Sequence, residues 1–237
     1  MHKTYQYLFF DLDHTLWDFD KNSEATLRSL YNEFALDKTG ITDFDAFYKQ
    51  YNIHNDKLWD RFRKGFIKRE ELRWKRMWLT LLDFKIGDTA LAHEISTAYL
   101  EILPTQGLLM PSAIEVLEHC KPHYQMHLIT NGFESTQWMK LQYSGLTGYF
   151  GHIITSEKSN SMKPHKEIFE YALNATGANA EKSIMIGDAL EIDILGASNA
   201  GWDQVYYNPE KEPLTPTYSG NKPTYEIHHL SELLTIF

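Results

Sequence analysis

Leu8-Phe9-Phe10-Asp11-Leu12-Asp13-His14-Thr15-Leu16 is the stretch on which the reading of this chain turns. The apolar run 7–10 has the length and composition of a buried strand. It ends abruptly in two carboxylates one residue apart, followed by a hydroxyl. Side chains alternate along an extended chain, so Asp11 and Asp13 point to the same side if the extended path continues. Two anions that close repel each other unless a cation sits between them. A hard divalent ion with oxygen ligands is the simplest remedy. Open α/β sheets place their ligands at the carboxyl ends of strands, where this pair would lie. Asp is also an ordinary turn residue after a strand, so the pair alone leaves both readings open.

Outward from that stretch the pattern becomes helical over 22–103. Asn22-Ser23-Glu24-Ala25 reads as a helix start, and Ala25, Leu27, Leu30, Tyr31 and Phe34 recur at helical spacing. Thr42-Asp43 opens a second helix, Leu58, Trp59 and Phe62 suggest a third, and 69–82 and 88–103 complete a helical bundle. From Pro111 the rhythm changes. Helices are expected over 112–120, 135–143, 164–175 and 192–199, and strands over 125–129, 152–155, 183–186 and 204–207. Strands alternating with helices imply βαβ units and a parallel sheet. The stretch 209–223 holds four of the eight prolines and reads as an irregular loop, and Ser231 as the cap of a last short helix. The predicted architecture is an α/β, Rossmann-like parallel-sheet core over 1–17 and 105–237, with an all-helical cap domain over 18–104 inserted after the first strand. The joints fall near Asp18-Phe19-Asp20 and Pro104-Thr105-Gln106-Gly107.

Composition narrows the class. The 237 residues are 43% hydrophobic and 14% aromatic, enough for a sizeable core and against disorder. The formal net charge is −9 with no basic stripe, which argues against duplex nucleic acid as a partner. A small anionic substrate is still compatible, because a local metal ion and Lys outweigh the global field. The single cysteine, Cys120, forbids an intrachain disulfide and fits a reducing compartment. It lies in an amphipathic helical pattern and reads as a small buried hydrophobe. Residues 1–6 lack an apolar signal segment, and no apolar run approaches a membrane span. A cytoplasmic protein, monomeric or weakly homodimeric, is expected.

Four sequence-distant pieces place polar chemistry just after an apolar strand or beside a helix start. They are Asp11-Leu12-Asp13-His14-Thr15, Thr130-Asn131-Gly132, Lys163-Pro164 and Gly187-Asp188-Ala189-Leu190-Glu191-Ile192-Asp193. Singly, each has a bland explanation: a turn, a helix-entry residue before Pro, a loop, an acid at a helix N-terminus. Their order after successive strands is what those explanations miss, because neighbouring strands of a parallel sheet bring their carboxyl ends to one edge. Together they suit phosphoryl transfer. One carboxylate can be a covalent nucleophile, and another an acid and then a base. A hydroxyl and a Lys can hold phosphoryl oxygens, and Mg²⁺ can relieve anion–anion repulsion.

On these residues the chain resembles the haloacid dehalogenase (HAD) superfamily, whose four signature motifs are present in order. Phe9 to Trp17, Ile129-Thr130-Asn131-Gly132-Phe133, and Gln137-Trp138-Met139-Lys140-Leu141 followed by Ser144-Gly145-Leu146 are similar to the YjjG-type nucleoside 5′-monophosphate phosphatases. The resemblance implies Asp11 as nucleophile and Asp13 as general acid/base. Thr130 would bind the phosphoryl group with the backbone N–H groups of Leu12 and Asn131, and Lys163 would neutralise charge. Mg²⁺ would be held by Asp11, the Asp13 main-chain carbonyl and Asp188, with Asp193 supporting the metal or orienting Lys163. One departure is His14, where many members have Gly.

The resemblance implies a Mg²⁺-dependent phosphomonoesterase working through an aspartyl-phosphate, with a nucleotide as the favoured small phosphorylated substrate. A sugar phosphate or phosphoglycolate is the alternative. A 2-haloacid dehalogenase needs neither a proton donor for the leaving group nor a metal, so Asp13 and Asp188 argue against it. A hexose phosphomutase needs a cap that reorients a bisphosphate, and nothing in the sequence identifies one. A non-catalytic phospholigand sensor would not need the complete set of nucleophile, acid, Lys and metal ligand. Trp17 and Phe19, just after the nucleophile, are candidates for a substrate wall. Trp59, Trp74, Trp78 and Tyr99 fit bundle core better than a base-stacking platform, and Arg61, Arg63, Lys64, Lys68 and Arg69 fit a solvated face.

Overall fold

The computed structural model describes residues 4–213, 218 and 220–237. Six parallel strands form one sheet: β1 (Tyr7–Phe10), β2 (Gln125–Thr130), β3 (His152–Thr155), β4 (Ser183–Gly187), β5 (Asp203–Tyr207) and β6 (Tyr225–Ile227). Their order is β3-β2-β1-β4-β5-β6. Strand order therefore reverses beside β1, and β1 and β4 flank the point where open α/β sheets hold their ligands. Leu8, Phe9 and Phe10 are fully buried, as expected of a strand covered on both faces. Register places Phe10 opposite Ile186 on β4 and Leu128 on β2. Asp11 N–H still donates to the Ile186 carbonyl at 2.9 Å, so the sheet carries Asp11 to its edge before pairing ends.

The chain divides into two compact units, Met1–Phe19 with Gly107–Phe237, and Asp20–Gln106. Each joint lies two residues further on than the boundaries drawn from sequence. The first unit is the α/β Rossmann-like sheet with its connecting helices. The second is all-helical, built from α1 (Phe19–Glu33), which enters from the joint, α2 (Phe44–Arg63), α3 (Arg69–Asp83) and α4 (Thr89–Ile102). In the α/β unit follow α5 (Ala113–Cys120), α6 (Glu134–Tyr143), α7 (Ser156–Ser159), α8 (Lys166–Thr176), α9 (Leu195–Asn199) and α10 (Leu233–Ile236). Phe9, Ile129, Ile154 and Met185 of the sheet pack with Ile168, Phe169 and Ala172 of α8, Ala197 of α9 and Trp202 in one dry cluster. Cys120 is buried on α5, and burial pushes its thiol up to about 12. No described helix is long and apolar enough to cross a membrane.

Several local expectations are corrected. α1 starts at Phe19, and the supposed capping residues Asn22 and Ser23 are buried inside it. Ser23 shares a hydrogen bond of 2.8 Å with the Tyr99 hydroxyl, so its polarity serves a buried network and not a helix end. α2 is one helix of 20 residues, without the break expected before Leu58. Tyr99 is core, whereas Trp59, Trp74 and Trp78 are only half-buried. Trp74 stacks on His93 at 4.3 Å between centroids. β6 went unread because three residues carry too little alternation to register. The helix expected from 192 begins earlier, as a π-helical turn at Leu190–Ile194. Ser231 sits within the turn Leu230–Glu232, and the carboxylate of Glu232 takes the preceding N–H groups of His228 and His229. Of the loop read over 209–223, residues 214–217 and 219 lie outside the described residues.

Candidate active site

Asp11 follows the last residue of β1 and is 8% exposed. Lys163 reaches it from the loop before α8, Nζ to Oδ1 at 2.6 Å, and donates also to the Ile129 carbonyl at 2.8 Å. The same ammonium pairs with Asp193 at 2.7 Å. The Asn131 side chain holds the Lys163 backbone from both sides: its Nδ2 donates to Lys163 O at 3.0 Å and its Oδ1 accepts from Lys163 N at 2.8 Å. The Lys163-Pro164 bond there is cis. One Nδ2 proton and one Oδ1 lone pair of Asn131 are thus spent on positioning Lys163.

Asp188 follows β4, the strand hydrogen-bonded to β1, and its carboxylate accepts from Thr15 at 3.0 Å. Asp193 is fully buried in the π-helical turn, where its Oδ2 accepts the Ala189 N–H at 3.1 Å. A Cβ on Gly187 would meet the Asp193 carboxylate at 2.4 Å, so only glycine lets that acid fold back against β4. Carboxylate oxygens of Asp11, Asp188 and Asp193 lie within 4.8 Å of one another. Burial raises the Asp11 pKa against the lowering pull of Lys163, and Asp193 and Asp188 push it further up. Asp188 is raised by burial and by Asp193. Lys163 is held above its usual range, the pull of Asp11 and Asp193 outweighing its burial. Two buried carboxylates and a half-buried one thus face one ammonium. That all-oxygen, anion-rich donor set fits a hard divalent cation such as Mg²⁺.

Asp13 stands apart from that trio. Its Oδ1 pairs with Lys140 at 2.5 Å and its Oδ2 accepts from Gln137 at 3.0 Å, both on α6. Burial pushes its pKa up, but Lys140 and Gln137 outweigh it and hold the carboxyl below its ordinary value. Thr130, at the end of β2, accepts from Gly132 N at 3.1 Å and from Gln137 Nε2 at 2.7 Å, which leaves its own hydroxyl proton to donate. His14 adopts φ 64°, the left-handed conformation that glycine takes most easily and His tolerates. Its ring lies against Phe19 at 4.9 Å.

Trp17 is fully buried, with the Lys140 ammonium 4.2 Å from its ring centroid. It therefore props Lys140 and is not placed as an open substrate wall, while Phe19 remains half-buried beside it. Sequence reasoning passed over Thr15, Gln137 and Lys140 as site residues. Their signal was polarity where packing calls for apolar side chains: Gln137 and Lys140 sit one helical turn apart on the inward face of α6.

A family model described as haloacid dehalogenase-like hydrolase matches residues 5–201. The chain belongs to that family of hydrolases. It is 32% identical over 235 residues to the pyrimidine 5′-nucleotidase PynA of Streptococcus pneumoniae, covering 97% of this chain and 94% of the relative. It is 30% identical over 238 residues to the pyrimidine 5′-nucleotidase YjjG of Escherichia coli, covering 97% and 98%. The solved structure of the HAD-hydrolase YfnB from Bacillus subtilis, bound to magnesium, superposes with a TM-score of 0.86 at 31% identity over 99% of both chains.

Proposed function

We propose that this hydrolase is a Mg²⁺-dependent phosphomonoesterase acting on nucleoside 5′-monophosphates. The observation that carries the reading is the cluster of Asp11, Asp188 and Asp193 around the single ammonium of Lys163. An Asp11 oxygen attacks phosphorus; the bond to the ester oxygen breaks, and that oxygen leaves with the electron pair and a proton from Asp13. Asp13 then takes a proton from water, whose oxygen attacks the aspartyl-phosphate and releases Asp11 and inorganic phosphate. Lys163 balances charge at the attacking carboxylate, and Thr130 donates to a phosphoryl oxygen. Asp11, Asp188 and the Asp13 main-chain carbonyl would hold Mg²⁺, with Asp193 orienting Lys163. When bound, the ion supplies the positive charge that lets phosphate approach Asp11.

Nucleotide preference rests on the likeness to PynA and YjjG, both named for pyrimidine nucleotides. Residues 20–106 are assigned the role of a mobile lid that excludes water during transfer and, with Phe19, sets selectivity. The solved YfnB structure is described as revealing movement between domains in that protein. The single buried thiol of Cys120 supports a cytoplasmic setting.

The test is phosphate release from a panel of nucleotides, sugar phosphates and phosphoglycolate, with Mg²⁺ and after chelation. Pyrimidine nucleoside monophosphates are expected to lead, chelation to abolish turnover, and Ca²⁺ to inhibit by binding the nucleophile bidentately. Folded Asp11→Asn should release no phosphate, because an amide is a poor nucleophile. Wild-type rates in that variant, or full activity after exhaustive chelation, refute the reading.

A further inference from the structure

Asp13 is gripped on both oxygens by residues to which the proposed reaction gives no part. Lys140 is 3% exposed and Gln137 fully buried, whereas the Asp13 side chain keeps 25% exposure. A buried ammonium is costly unless paired. Lys163 already serves Asp11, so Lys140 is a second buried cation dedicated to a different carboxylate. Its setting is specific: the ammonium lies 4.2 Å from the Trp17 centroid and 5.4 Å from that of Phe19, which fixes the side chain on an aromatic floor. Gln137 ties the same carboxylate to Thr130 through one amide nitrogen. A Cβ on Gly132 would stand 2.4 Å from the Gln137 side chain, so the turn after β2 is shaped to admit it.

We propose that Lys140 and Gln137 are positioning residues for the acid–base step, holding the plane of the Asp13 carboxyl by one lone pair of each oxygen. A carboxylate offers about four lone-pair sites, so a second site on each oxygen stays open toward the ester or water oxygen. This rests on the phosphomonoesterase reading. Its consequence is selective. Misplaced Asp13 slows hydrolysis of the aspartyl-phosphate for every ester alike, but its formation, which kcat/KM reads, suffers most where the leaving oxygen needs a proton, as a nucleoside 5′-oxygen does, and least for p-nitrophenolate, which leaves unprotonated.

The experiment compares uridine 5′-monophosphate with p-nitrophenyl phosphate at saturating Mg²⁺, on wild type, Lys140→Met and Lys140→Arg, with folding checked by circular dichroism. Lys140→Met is expected to lower kcat/KM on the nucleotide by about 100-fold, the low end of what a placed acid supplies. Its loss of kcat/KM on the aryl ester should be under about 5-fold, because substrate binding and attack by Asp11 are not touched. Lys140→Arg, which keeps the cation, should recover at least about tenfold on the nucleotide. Equal losses of kcat/KM on the two esters, or no loss on either, overturn the proposal while leaving the phosphatase reading standing. Should Lys140→Met fail to fold, Lys140→Gln is judged by the same criteria, and Lys140→Arg after that, where a loss independent of the leaving group overturns it. Wild type inactive on both esters brings down the phosphatase reading, and this proposal with it.

Discussion

The α/β unit and the helical unit each bury a cation, in opposite surroundings. Lys163 lies between the carboxylates of Asp11 and Asp193 at 2.6 and 2.7 Å. Arg76 of α3 donates instead to the Leu72 carbonyl at 3.0 Å and to Asn55 Oδ1 at 2.9 Å. Its guanidinium lies 5.9 and 5.8 Å from the ring centroids of Tyr51 and Tyr99. Among the described residues no carboxylate stands at ion-pair distance from Arg76. Burying a charge is costly in both places. In the helical unit the cost is offset by neutral acceptors and ring faces. In the α/β unit anions outnumber the cation, and the surplus negative charge is what makes that cluster a site and not a scaffold.

The contrast can be broken most severely at Lys163. Lys163→Met leaves Asp11 and Asp193 buried with no ammonium between them, and is expected to cost about 3–5 kcal/mol in urea denaturation without divalent ions. A variant as stable as wild type would mean that the carboxylates are already neutral, and the contrast fails.

A third buried group sharpens the comparison from the neutral side. His127 on β2 is 3% exposed, with both ring nitrogens unpartnered, and burial, aided by His152, pushes its pKa down to about 4. In the unfolded chain His titrates near 6.5. Between those values the unfolded state takes a proton that the folded state refuses. Stability is therefore complete above about pH 6.5 and falls by up to about 3 kcal/mol as pH drops toward 4. Denaturation of wild type and His127→Leu at pH 7 and 4.5 reads the difference. Parallel losses in the two proteins would remove His127 from the account.

The smallest effect belongs to Arg76. Arg76→Met strands the Asn55 carbonyl and is expected to cost about 1–2 kcal/mol, with kcat on p-nitrophenyl phosphate unchanged. A loss as large as that of Lys163→Met would show that Arg76 answers a carboxylate after all, and the two cations would no longer differ in kind.

Much of the fold was legible because it is periodic. Strands β1 and β3 agree with their expected bounds, and β2, β4 and β5 agree to within a residue, because each is a short apolar run bounded by turn residues. The failures share a cause. Asn22 and Ser23 are polar residues inside α1, and their polarity mimics a helix start. Gln137 and Lys140 lie inside a helix the sequence does predict, but their polarity there names no partner. A buried polar side chain is intelligible only with its partner, and the partner is not local.

By itself the sequence determined the alternation of strands and helices, the helical block after β1, and the carboxylates, hydroxyl and lysine that end up near one sheet edge. These follow from backbone geometry and side-chain periodicity, which act over a few residues. Tertiary structure decided which of them meet. Thr15 bonds Asp188 across 173 positions, and Lys140 pairs with Asp13 across 127. Such pairings depend on β4 crossing to the far side of β1 and on α6 turning its polar face inward. Nothing local specifies them, because the free energy that selects a strand order is that of burying the whole sheet.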